Sequence, residues 1–158
     1  MRHSTSTSAR GRRGGWALAT AAACLMTMAA AAPASVTHDD DDGLFANLKG
    51  AKEVPGPGDP DGAGAAIVDL YPRAGKVCAR ISVARIEAPV AAHIHLGKSD
   101  QAGPIVVDLT GSVTGGARCV DGVEEDLIRE IESHPWRYYV NVHNAAYPGG
   151  AVRGQLRG

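Results

Sequence analysis

Three histidines and an arginine sit where the alternation of an extended chain would bring them onto one surface. In Ala92-His93-Ile94-His95-Leu96 every second residue is apolar, so Ala92, Ile94 and Leu96 share one face and both histidines the other. Tyr138 to His143 repeats the pattern, with Tyr138, Val140 and Val142 on the apolar side and Tyr139, Asn141 and His143 opposite. In Ala151 to Leu156, Val152 and Leu156 point inward and Arg153 and Gln155 outward. Histidines at i and i+2 on a strand have Cα atoms about 6.5 to 7 Å apart, close enough for both rings to share an ion at about 2 Å from each nitrogen. If these strands are neighbours, His143 completes a three-nitrogen set suited to one copper or zinc ion. Asn141 and Arg153 would support it, with Arg153 able to stabilise an anion nearby. The competing reading is that the histidines hydrogen-bond backbone and side chains beneath the turns, and that Arg153 is an exposed strand arginine.

Other chemistry finds little to work with. The chain has no G-x-S-x-G elbow and no H-E-x-x-H segment, and Gly62-Ala63-Gly64 and Gly149-Gly150 are not followed by helical patterns, so they read as turns rather than phosphate cradles. Glu124, Glu125 and Asp126 open a helix, where the dipole favours their charge. The balance of signatures is against an enzyme; if there is one, its chemistry is metal-dependent redox chemistry.

The elements that must hold these residues are strands. From Leu44 onward short apolar runs are punctuated by Gly and Pro, giving candidate strands at Leu44 to Lys49, Ala65 to Tyr71, Lys76 to Ile86, Val90 to Leu96, Ile105 to Leu109, Tyr138 to His143 and Ala151 to Leu156. Turns are written between them in Pro55 to Gly62, Pro72 to Gly75, Gly97 to Gly103 and Tyr147 to Gly150. No helical crossover follows each strand, so the expectation is an all-β fold: an antiparallel, Greek-key-like sandwich or barrel of about seven or eight strands. One inserted α-helix interrupts it. Asp121 is expected as its N-cap, Glu124 as the other half of a capping box, Val123, Leu127, Ile128 and Ile131 as its apolar face, and Pro135 as its stop beyond His134.

Residues 1 to 34 have the layout of a signal peptide: Arg2, Arg10, Arg12 and Arg13, then an apolar stretch from Trp16 to Ala32, then small residues around Ala34. That stretch is marginal for a spanning helix and no basic cluster follows it, so no stable membrane anchor is expected. Residues 35 to 43, with Asp39 to Asp42, read as an acidic flexible tail, and 44 to 158 as the working domain. Removing the leader leaves twelve Lys and Arg against seventeen Asp and Glu, a balance of about −5, with no basic cluster of the kind that nucleic acid requires. Of three cysteines, Cys24 leaves with the leader. In an oxidising compartment Cys78 and Cys119 are then expected to form one disulfide, the alternative being two buried thiols.

Five ordered segments carry a family resemblance: Leu48 to Pro55 (LKGAKEVP), Ala92 to Gly97 (AHIHLG), Gly103 to Leu109 (GPIVVDL), Tyr139 to Asn144 (YVNVHN) and Pro148 to Leu156 (PGGAVRGQL). Together they resemble the CHRD domain, named for its occurrence in chordin and also found singly in secreted bacterial proteins. The resemblance spans Leu44 to Leu156 and implies an all-β extracellular module; it brings no catalytic residues with it. A more distant likeness, to copper/zinc superoxide dismutase, rests on His93-Ile94-His95 followed by glycine, on the disulfide, and on Gly150-x-x-Arg153-Gly154. That enzyme also needs a bridging histidine and a histidine-rich zinc subsite, whereas beyond the leader this chain has only His38, His93, His95, His134 and His143. The reading is therefore a secreted, non-enzymatic binding or structural module meeting an extracellular or envelope partner. Its alternative is a protein that binds one copper or zinc ion.

Overall fold

A computed structural model describes residues 43–116 and 118–158. The expected leader (1 to 34) and all of the acidic segment except Gly43 lie outside the described residues. Eight strands form one sheet: β1 (Leu44–Lys49), β2 (Ala63–Tyr71), β3 (Lys76–Ala84), β4 (Pro89–Leu96), β5 (Ile105–Asp108), β6 (Cys119–Asp121), β7 (Tyr138–Asn144) and β8 (Val152–Arg157). Their order is β5-β4-β7-β8-β1-β2-β3-β6, every neighbouring pair is antiparallel, and the sheet curls into a nearly closed barrel. The edge strands β5 and β6 have four and three residues, so little unpaired backbone is left at the seam. Leu109 closes back on β4 by donating its N–H to the Ala92 carbonyl at 2.8 Å.

Period-two alternation sorts the side chains. Leu44, Ala46 and Leu48 of β1 face the interior while Phe45, Asn47 and Lys49 face out. Ala66, Val68 and Leu70 of β2, Val77 and Ala79 of β3, Ala92 and Ile94 of β4, Val107 of β5 with Leu109 just beyond it, Tyr138, Val140 and Val142 of β7, and Val152 and Leu156 of β8 join them in the core. Helix α1 (Glu125–Ser133) adds Ile128 and Ile131 to it.

Two expectations need correction. The helix is not capped by Asp121: it begins at Glu125, Glu124 takes the boundary position, and no side chain caps it. Asp121 instead ends β6, opposite Lys76, with which it forms an ion pair at 3.3 Å. Strand pairing claims it, and Gly122 at φ +77 turns the chain before the helix can start. β6 itself was not expected, because three residues are too few to show a period. Pro135 does end the helix, opening a 3-10 turn over Pro135–Arg137.

Cys78 and Cys119 form the expected disulfide, directly opposite one another in the β3–β6 register. A disulfide is compatible with an extracellular location. Among the described residues no helix is long and apolar enough to cross a membrane.

Candidate functional site

Strands β4, β7 and β8 lie side by side, so the register carries side chains across the outer face in rows. His93 stands opposite Asn141, and Asn141 opposite Arg153; His95 stands opposite Tyr139, and Tyr139 opposite Gln155; His143 stands opposite Ala91. This outward face is not a solvent face. Tyr139, Asn141 and Arg153 are buried, His95 is 9% exposed, and His93 and His143 are half-buried. The exposed-strand reading of Arg153 is thereby corrected: its guanidinium Nη2 donates to the carbonyls of Lys98 (2.6 Å) and Gln101 (2.8 Å), which belong to the loop Gly97 to Gly103 folded over it. Alternation identified the face correctly but could not see the loops that cover it.

His93, His95 and His143 each offer one nitrogen, and the three atoms lie within 4.8 Å of one another. Two metal–nitrogen bonds of about 2.1 Å at a tetrahedral angle put their nitrogens about 3.4 Å apart. His93 Nδ1 and His143 Nε2 are 3.2 Å apart. The outer nitrogens of two rings are held by backbone: His95 Nδ1–H donates to the Gly103 carbonyl at 2.8 Å, and His143 Nδ1–H to the Pro148 carbonyl at 3.0 Å. A carbonyl only accepts, so each bond fixes its ring in the Nδ1–H tautomer and leaves an Nε2 lone pair. The His143 lone pair accepts from His93 Nδ1–H. The His95 lone pair, buried, has no hydrogen-bond partner among the described residues.

All three imidazoles are held below the ordinary histidine pKa, chiefly by burial. For His93 the neighbouring His143 and His95 add to the effect against the opposing charge of Asp108; for His95 the hydrogen bond to Gly103 opposes it, while His143 and Arg153 add. Neutral rings at pH 7 are the form that ligates metal. The fourth described histidine, His134, is elsewhere, with its Nδ1 3.1 Å from a Glu130 carboxylate oxygen.

Several supporting residues were not foreseen. Tyr139 stacks on His95 (ring centroids 4.8 Å, planes 11° apart) and carries the Arg153 guanidinium carbon 3.4 Å from its own ring centre. Its hydroxyl accepts from the Gly103 N–H at 3.1 Å. Gly103 therefore ties together the ring stack and the His95 tautomer, and a Cβ there would collide with the Leu96 carbonyl. Gly103→Ala is expected to destabilise the domain by about 1–3 kcal/mol, because backbone rather than a flexible side chain must yield; urea denaturation checks this, and an unchanged midpoint would refute it. Asn141 does not turn to the histidines: its Nδ2 donates to both carboxylate oxygens of Glu53 (3.2 and 2.9 Å). Glu53 is 6% exposed, and burial raises its pKa to about 7 against the opposing pull of Arg153 and Asn141. Glu53 falls in the segment LKGAKEVP, but nothing local to that segment pointed to its partner, which lies 88 residues away.

No curated protein and no solved structure gives a match to the chain. A family model does: that of the CHRD domain, over residues 44–156, which runs from the first residue of β1 to within one residue of the end of β8 and takes in the three histidines, Asn141, Arg153 and both cysteines. The chain belongs to the CHRD-domain family.

Proposed function

We propose that this CHRD domain is an exported binding module and that its outer β4–β7 face takes one transition-metal ion through His93, His95 and His143. Membership of the family supports a binding or structural role; the leader-like residues 1 to 34 and the Cys78–Cys119 bridge support a setting outside the cytoplasm. The observation that carries the metal reading is the buried His95 Nε2 lone pair. Hydrogen bonding among the described residues accounts for His143 and for His93 Nδ1 but gives that nitrogen no partner, and a buried polar atom left so costs about 1–3 kcal/mol. An ion between the rings would use all three inward nitrogens and displace the proton that His93 shares with His143. The outer nitrogens would keep their carbonyl bonds, an arrangement common around metal-bound imidazole. Three neutral imidazoles suit copper(II) and zinc, and copper(II) is expected to bind more tightly.

The test is metal analysis of protein purified without a polyhistidine tag, followed by competitive copper(II) and zinc(II) titration of wild type and a His93→Ala/His95→Ala variant. Wild type is expected to take one equivalent and the variant to lose affinity by about 100-fold or more, as removal of two of three ligands demands. Circular dichroism confirms that the variant is folded. Equal uptake by the two proteins would end this reading, and would leave the family's binding role to surfaces other than the histidines.

A further inference from the structure

On the same side of the barrel, next to the histidines, is a concentration of positive charge that the metal reading does not use. Arg153, Gln155 and Arg157 alternate along β8 and so share a face. The turn Gly50–Lys52 with Glu53 and Val54, and Ser99 from the loop beyond β4, stand over that face and enclose with it a pocket of about 320 Å³. Lys49 stands directly opposite Arg153 in the β1–β8 register. Like charges facing each other across a strand pair are destabilising unless something neutralises them.

Among the described residues no direct ion pair does so; Glu53 and Asp100 favour the Arg153 charge without closing on it as ion pairs. The ion pairs of the described residues engage Lys76, Arg80, Arg129, His134 and Arg137, and none includes Lys49, Lys52, Arg153 or Arg157. Lys52 Nζ donates to a neutral acceptor, the Asn47 carbonyl, at 2.7 Å. Arg153 donates Nη2 to two carbonyls, while its buried Nη1 has no partner among the described residues. Glu53, the one carboxylate in the lining, is turned to Asn141. Burial first, and then the neighbouring charges of Arg157 and Lys49, hold the Lys52 ammonium below the usual lysine range. Elsewhere acidic residues predominate: the whole chain carries a net charge of −1 despite this cluster.

We propose that the pocket between β8 and the Gly50–Val54 turn is a binding site for an oxyanion group, carboxylate, sulfate or phosphate, borne on a small polar ligand. Lys52 and Arg157 supply charge at its mouth. Arg153 supplies a fixed guanidinium at its base, held in place by the loop carbonyls and by Tyr139. Its volume fits a ligand of about the size of one sugar acid, at the lower end of small-molecule sites.

The site is independent of the metal reading and is tested on full-length protein stripped of metal with EDTA and then exchanged into chelator-free buffer. Isothermal and NMR titrations at low ionic strength use sodium glucuronate, sodium sulfate and sodium phosphate as probes, with sodium chloride as the ionic-strength control. At least one oxyanion is expected to bind saturably at one per chain, with millimolar dissociation constant, shifting the amides of residues 51 to 54 and 153 to 157. Tighter binding of glucuronate than of the inorganic ions assigns the site to a carboxylated ligand; the reverse assigns it to sulfate or phosphate groups. A Lys52→Met/Arg157→Met variant, which leaves the core untouched, is expected to weaken binding at least tenfold. Responses that match chloride, or that survive in the variant, would overturn the proposal.

Discussion

Reducing the Cys78–Cys119 bridge is expected to lower the unfolding free energy by about 4 kcal/mol and the melting temperature by roughly 15 °C. The two cysteines are 41 residues apart, and freeing a closed loop of that length returns about 13 cal/mol/K to the unfolded chain, which is about 4 kcal/mol at 25 °C. For a domain of this size each kcal/mol moves the melting temperature by about 4 °C. The native state also loses something local. β6 is held on β3 by only three paired positions, one of them the bridge itself, and it leads into α1, whose Ile128 and Ile131 fill part of the core. Urea denaturation with and without reductant, repeated on a Cys78→Ser/Cys119→Ser variant, measures the effect. A difference below about 1 kcal/mol would show that the bridge is incidental to stability. The loop it closes contains β4 and both of its histidines, so, on the metal reading proposed above, reduction is also expected to weaken uptake.

The second large effect is a pH dependence carried by Glu53. Its ordinary pKa is 4.5 and its folded value is about 7, so between those values the native state holds the proton more tightly than the unfolded chain. Stability therefore falls as pH rises from about 4.5 to 7, and above that range both states are ionised and the full penalty remains, on the order of 3 kcal/mol. The cause is desolvation of the carboxylate, packed close to Gly150, only partly offset by Arg153 and by the Asn141 amide. Glu53→Gln removes the ionisation and keeps an oxygen to accept from Asn141. Relative to wild type the variant is expected to be about equally stable near pH 4.5 and on the order of 2–3 kcal/mol more stable at pH 8. The lowered histidine pKa values give wild type a slope of opposite sign below pH 6.5, where the unfolded chain takes up protons first; that contribution is common to both proteins and cancels in the difference. A difference between the two proteins that does not change with pH would refute the assignment.

Much of the architecture was written locally. Strands β1, β4, β7 and β8 show their period in six to eight residues, and the turns between them carry Gly and Pro; both are properties of adjacent residues, so a sequence displays them directly. The same period assigned His93, His95 and His143 to one side of their strands. β6 was too short to show a period, and the helix start was misread because a strand pairing claims its expected cap. Asp121 has the chemistry of a cap, but the strand opposite it, more than forty residues earlier in the chain, outcompetes the local preference.

The sequence by itself thus determined which residues alternate and that the histidines lie on the polar side of their strands, because each follows from backbone geometry. Only the tertiary structure decided that β4, β7 and β8 are neighbours, that loops bury the polar face, and that carbonyls of Gly103 and Pro148 turn two imidazole lone pairs inward. It alone brought Glu53 to Asn141 and gathered Lys49, Lys52, Arg153 and Arg157 with no direct ion pair among the described residues. These are contacts between residues far apart in the chain, set by strand order and loop packing, and no local periodicity encodes them.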